Sequence, residues 1–329
     1  MSKPRVGFLG TGWIGRHRMR AIVESGAVEA VAISDPSEEC ATEAGGLAPD
    51  AAVLPSLQAM LDHGLDGLLI ATPSALHAEQ AIAALERGVA VFCQKPLGRN
   101  AAEARAVVDA ARTADRLLGV DLSYRHTAAG AAVAGLVRDG EIGEVFAADL
   151  VFHNAYGPDK PWFYDRAQSG GGCVIDLGVH LVDLALWLLG FPEVVGVTAR
   201  LFADGQPLSA SSSEVEDYAV ARLDFATGAA VRLACSWRLN AGRDAAIEAS
   251  FYGTRGAASI RNLGGSFYDF EAQLFRGTSA QQLASPPDEW GGRAAAAWAK
   301  RLAENPRFDD AAEEFVTVAS VLDRIYSGA

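Results

Sequence analysis

Along the first third of the chain, short apolar runs rich in Val, Ile and Leu alternate with longer Ala-rich stretches whose apolar residues recur at helical spacing. The runs at 5–9, 31–34, 67–71, 90–93 and 117–120 have the length and composition of buried strands. The stretches 13–25, 55–63, 77–87 and 100–113 suit crossover helices, and Asn100 stands where an N-cap belongs. This alternation predicts βαβ units, a parallel sheet and right-handed crossovers.

After about residue 121 the texture changes. One long helix candidate is followed by strand-like runs at 200–203, 216–224, 229–237 and 245–252, separated by Gly and Asp turns, which predicts a largely antiparallel second sheet. The Ser- and Gly-rich segment 205–213 reads as a flexible loop, and 308–326 closes the chain as an amphipathic helix. A length of 329 residues exceeds the usual single α/β core. The expected organisation is a doubly wound α/β domain over 1–121 and an α+β domain with an open, mostly antiparallel sheet over 122–329.

Composition narrows the function classes. Half of the residues are hydrophobic and 21% are charged, as in a soluble globular protein, and the net charge of −13 disfavours nucleic acid or an anionic membrane as partner. Cys40, Cys93, Cys173 and Cys235 are scattered without metal-ligand spacing, which fits free thiols in a reducing compartment. The opening apolar run is too short for a signal-peptide core, and the apolar stretch at 181–191 is broken by Asp183 and too short for a bilayer. A cytoplasmic protein is expected.

The candidate chemistry lies where strands end. Gly10-Thr11-Gly12-Trp13-Ile14-Gly15 sits between a strand and a helix. There the first glycine permits the turn, the second lets backbone N–H groups approach a pyrophosphate, and the third lets the helix pack close to the strand. Asp35 ends the next strand about 20 residues further on, where a carboxylate meets ribose hydroxyls and repels a 2′-phosphate, so NAD is favoured over NADP; the alternative is a turn Asp before Pro36. Thr72-Pro73-Ser74 reads as a cofactor rim, or as a Pro-terminated strand with Ser74 capping a helix that His77 begins. Lys95, after Gln94 and before Pro96, projects from another strand end, where an ammonium could stabilise a developing alkoxide. The segment 171–183 reads as one helix with Asp176, His180 and Asp183 on one face and Leu177, Leu181, Leu184 and Leu188 on its neighbour. The imidazole suits proton transfer near neutral pH, the alternative being a helix histidine between solvated acids; a metal needs more ligands than this face offers.

Taken together, the glycine motif, Thr72-Pro73-Ser74 with His77, Lys95-Pro96 and the Gly-Gly-x-x-x-Asp-x-x-x-His helix resemble the glucose-fructose oxidoreductase/inositol dehydrogenase/rhizopine catabolism (Gfo/Idh/MocA) family over nearly the whole chain. The resemblance implies an N-terminal Rossmann domain, hydride exchange between NAD(H) and a sugar, polyol or inositol-like alcohol, and Lys95, Asp176 and His180 as catalytic trio. His180 would be the general acid/base. Gln94, Lys95 and Arg125 join the cofactor contacts, and Tyr124, Arg125, His153, Asn154 and Trp162 the candidate substrate contacts, beside Asp176 and His180. A homodimer or homotetramer through the second sheet is implied as well. The family's Glu-Lys-Pro is Gln94-Lys95-Pro96 here, which removes a negative charge beside the lysine. The rival functions are a glycoside-processing enzyme that recycles its NAD and a dinucleotide-binding regulator without chemistry.

Overall fold

A computed structural model describes residues 2–209 and 212–328; Ala210 and Ser211 of the expected 205–213 loop lie outside the described residues. The first sheet contains β1 (Arg5–Leu9), β2 (Glu29–Ser34), β3 (Ala52–Val53), β4 (Gly67–Ile70), β5 (Ala90–Cys93) and β6 (Leu118–Val120). Helices α1 (Trp13–Glu24), α2 (Glu38–Gly45), α3 (Leu57–Asp62), α4 (Ser74–Glu86) and α5 (Ala101–Ala114) link them. The order β3-β2-β1-β4-β5-β6, parallel throughout, is the doubly wound arrangement, whose ligand crevice opens at the strands' carboxyl ends where the order reverses. Asn100 caps α5 as expected, its side chain accepting the Glu103 N–H at 2.9 Å. The sequence reading missed β3 and α2; a two-residue strand carries no periodicity to detect.

The second unit opens with α6 (Ala128–Arg138) and contains α7 (Arg166–Ser169) and α8 (Val179–Leu189). Its sheet is built of β7 (Val145–Asn154), β8 (Val194–Ala203), β9 (Gln206–Pro207), β10 (Tyr218–Phe225), β11 (Ala230–Ser236), β12 (Ala245–Gly253), β13 (Ala257–Asn262), β14 (Phe270–Arg276) and β15 (Ser279–Ala284). The strand order is β15-β14-β13-β12-β7-β11-β10-β8-β9, antiparallel except where β7 pairs with β11. Four of these strands were expected. The polar edge strand β15, with Ser279–Gln282 all exposed, offers no apolar alternation to read.

Domain assignment differs from expectation. The compact units divide at Ser123/Tyr124, and the first also takes in Gly291–Thr317, whereas the sequence reading gave the whole of 122–329 to the second domain. The reason lies in α9 (Arg293–Glu304): its Ala294, Ala295, Trp298, Ala299 and Leu302 share one core cluster with Val6, Phe8 and Ile22. A helix pattern shows that a face must be buried but not in which core. The last helix, α10, spans Glu313–Ser327.

The single helix expected over 171–183 also differs. Val174–Gly178 forms a π-helical turn that feeds α8, and the 24-residue helical stretch Arg166–Leu189 contains an 18-residue window of mean hydropathy 1.8. That is long and apolar enough to cross a membrane, unlike the expected stretch. Its most apolar window is 78% buried within the protein, as a core helix is. Leu177, Leu181, Leu184 and Leu188 are all buried, as the stripe predicted.

Candidate active site

The glycine loop shows which of its residues answer to the chain and which to a ligand. Gly10 has φ +81°, and a Cβ there would stand 2.6 Å from the Ala71 carbonyl oxygen; at Gly15 it would stand 2.0 Å from that of Gly10. Those two glycines are demanded by the strand-to-helix turn itself. Gly12 is different: its φ is −58° and a Cβ would meet nothing within 4 Å. The cleared space lies at the N-terminus of α1, which has no side-chain cap, so it fits a pyrophosphate received on backbone N–H groups. Thr11 is buried, Ile14 half-buried and Trp13 exposed.

The Asp35 carboxylate makes the turn contact that was weighed against ribose binding, and it also meets the glycine loop. Its Oδ1 accepts the Ser37 N–H at 2.8 Å, a turn contact, and its Oδ2 accepts the Thr11 N–H at 2.5 Å, which holds it against the glycine loop. Each carboxylate oxygen can accept a second donor, such as a ribose hydroxyl.

Around Thr72 the expectation needs amendment. The α4 helix begins at Ser74, Pro73 is its N-cap residue, and Ser74 supplies no side-chain cap. His77 stands one turn inside the helix and is buried, each ring nitrogen 2.7 Å from a carbonyl oxygen, Nδ1 facing Pro96 and Nε2 facing Thr72. Both contacts call for an N–H, which only an imidazolium supplies at once, yet burial pushes the imidazole's pKa down against those bonds. His77 therefore ties the β4 end to the Lys95–Pro96 turn rather than presenting itself to a ligand. Thr72 Oγ1 donates to Gln80 at 2.6 Å. Gln94 turns inward and donates to the buried carboxylate of Asp121, while Lys95 is half-buried. Gln94 thus sets an amide, and not a charge, against the Asp121 carboxylate.

In the second unit, Asp176 sits in the π-helical turn, and its Oδ2 accepts the indole N–H of Trp237 at 3.0 Å. Trp237 is buried at the end of the β11 strand, and the rings of Phe163 and Tyr164 pack on it. His180, on α8, lies with its ring 4.9 Å from that of Tyr124, edge to face, and 6.2 Å from Phe152. Burial, the largest cause, pushes the Tyr124 phenol far above its ordinary pKa, so it stays neutral. Asp183 was expected on a face with both residues and is instead buried in a pair with Arg125, whose Nη2 approaches its Oδ1 at 2.5 Å and whose Nε donates to both oxygens at 3.0 Å. Arg125, expected to touch nicotinamide or substrate, is held by this pair, with its guanidinium over the rings of Trp187 and Phe191.

Glu216, which the sequence reading did not single out, braces the start of the helix. Its Oε1 accepts the N–H groups of Gly172 and Val174 at 2.9 Å each and the Tyr326 hydroxyl at 2.8 Å. Burial pushes its pKa up against those bonds.

The weaker substrate guesses separate. Phe152 faces His180, so strand alternation puts Asn154 on that same face and His153 on the other. There the Nδ1 of His153 meets Ser236 Oγ at 2.8 Å, and its ring stacks on Tyr218. Among the described residues, the buried Asn154 Oδ1 accepts no hydrogen bond. Trp162 stacks on Phe163 at 3.8 Å and so belongs to the aromatic group around Trp237. A signal for Asp121 was available: it follows a strand end just as Asp35 and Gln94 do. The role of Trp237 had no local signal.

Comparison with known proteins places this arrangement. Residues 4–122 match the oxidoreductase family with NAD-binding Rossmann fold, and residues 131–259 match the GFO/IDH/MocA C-terminal domain. A putative UDP-kanosamine synthase oxidoreductase subunit of Amycolatopsis mediterranei (strain S699) is 33% identical over 276 residues, 78% of this chain and 75% of that protein. D-glucoside 3-dehydrogenase of Escherichia coli (strain K12) is 29% identical over 205 residues, 59% of this chain and 58% of that protein. Levoglucosan dehydrogenase in complex with NADH and levoglucosan shares the fold, with a TM-score of 0.84 at 23% identity, covering 100% of this chain and 97% of that one. With both domains matched and the glycine loop shaped for a dinucleotide, this chain belongs to the Gfo/Idh/MocA family of NAD-binding oxidoreductases.

Proposed function

We propose that the protein is an NAD-dependent dehydrogenase acting on a secondary alcohol, or its carbonyl, in a sugar, polyol or inositol-like substrate. The observation that carries this reading is the Asp176–His180 helix, where a carboxylate fixed by an indole N–H and an imidazole set against Tyr124 and Phe152 are held in an apolar surround. Bound NAD supplies the hydride acceptor. His180 moves the hydroxyl proton, Asp176 holds the imidazole in its working tautomer, and Lys95 stabilises charge developing on the substrate oxygen. Asn154, with its open acceptor, receives a substrate hydroxyl. Arg125 acts through Asp183 as a brace for α8. Asp35 selects NAD over NADP by repelling a 2′-phosphate. The protein works in the cytoplasm, where its four free cysteines stay reduced, and assembles through the outer face of its second sheet as a homodimer or homotetramer.

The test is NADH absorbance while the protein and NAD are offered polyols, inositols and aldoses. A stereoselective rise that His180→Ala lowers by on the order of a hundredfold or more, with NAD affinity by calorimetry kept, is the expected result. Near-normal turnover in the variant would end the assignment of His180. Bound NAD that no substrate reduces points to a regulator, and substrate conversion without NADH accumulation to recycled NAD.

A further inference from the structure

Four polar side chains outside that reaction are buried together in the first unit: Arg18 on α1, Gln94 at the end of β5, and Asp121 and Ser123 just after β6. Arg18 Nε donates to Asp121 Oδ2 at 2.5 Å and its Nη2 to Ser123 Oγ at 3.1 Å. Gln94 Nε2 donates to the same Oδ2, and Ser123 Oγ to Oδ1. One carboxylate thus gathers donors from three elements at a place shielded from water.

The network bears on Lys95 through the backbone. On its N-terminal side, the Gln94 N–H donates to Ile70 O at 2.8 Å and the Asp121 N–H to Cys93 O at 2.9 Å, so the sheet fixes the main chain and the Gln94 side chain reaches across to β6. On its C-terminal side, Pro96 O meets His77 of α4. Lys95 therefore stands on an arch pinned at both feet. The charge count is also constrained. Arg18 offers one positive charge and Asp121 one negative charge; a carboxylate at 94 would set two buried carboxylates against each other, and the second would not readily ionise. An amide at 94 donates to Asp121 without adding charge.

We propose that Asp121, acting through Gln94, is a positioning residue for Lys95. This rests on the reading of Lys95 as part of the hydride-transfer site, but its test does not need turnover. Competitive labelling of the intact protein with acetic anhydride, followed by peptide mass spectrometry, reports the reactivity of the Lys95 amine directly. Gln94→Glu changes the Lys95 labelling rate severalfold at about pH 8 and lowers the thermal midpoint there, and the thermal deficit shrinks towards about pH 5 as the added carboxyl takes up a proton. Gln94→Glu combined with Asp121→Asn leaves one carboxylate beside Arg18 and returns both readings towards wild type. Gln94→Met, which removes the hydrogen bond without adding charge, also shifts the labelling rate and keeps the test open should Gln94→Glu fail to fold. Unchanged Lys95 labelling in the folded single variants, or a double variant no nearer wild type than Gln94→Glu, overturns the proposal. Wild type inactive on every alcohol offered would instead sink the dehydrogenase reading, leaving labelling and unfolding to judge Asp121 on their own.

Discussion

Three glycines of one motif answer to different masters, and substitution separates them. Gly12→Ala introduces a methyl into empty space at an ordinary φ, so the thermal midpoint stays near wild type while calorimetry finds weakened NAD binding. Gly15→Ala drives a Cβ into the Gly10 carbonyl and loses stability outright, measurable without ligand. At Trp237, replacement by Phe keeps the packing and removes the N–H on Asp176; kcat falls on the order of tenfold with the circular dichroism spectrum unchanged. Glu216 carries a pH signature. Its folded pKa lies above the ordinary 4.5, so the folded state keeps a proton that the unfolded chain has released, and stability declines as pH rises from that value through the folded pKa. All three donors fall on Oε1, which Gln can also offer. Glu216→Gln therefore flattens that slope in thermal melts across pH, and an unaltered slope would contradict the assignment. These residues show the reach of sequence reading: Gly10, Gly15 and Asp35 announce themselves by spacing, whereas the bond from Trp237 to Asp176 joins residues 61 apart and leaves no local trace.

Elements were legible where periodicity was long and clean. The strands at 5–9 and 90–93 and the Asn100 cap fall as expected, because burial on both faces and a capping side chain are local properties. The helix that carries Asp176 and His180 was less legible. A π turn adds a residue to the helical repeat at Val174–Gly178, so the spacing rule that grouped Asp176, His180 and Asp183 no longer holds through it. Asp183 instead closes a buried pair with Arg125 that fastens α8 to the segment before α6. Asp183→Ala leaves that guanidinium without its carboxylate and costs about 3–5 kcal/mol, read from the urea midpoint at unchanged slope.

At the scale of the whole molecule, the second sheet turns Val220 and Tyr252 outward, both more than a third exposed, among charged groups such as the Arg232–Asp149 pair. Sedimentation is expected to find a dimer or tetramer, and Val220→Glu to shift it towards smaller species; a wild-type monomer at micromolar concentration would contradict the proposed assembly. By itself the sequence determined the parallel domain, the dinucleotide loop and the acid that faces it, because each is written in residues within one βαβ unit of one another. Tertiary structure alone decided that Gly291–Thr317 joins the first core, that His153 faces away from His180, and that Gln94 meets Asp121. Those outcomes depend on which distant strands pair and which faces close, and the energy that selects them belongs to the packed core as a whole.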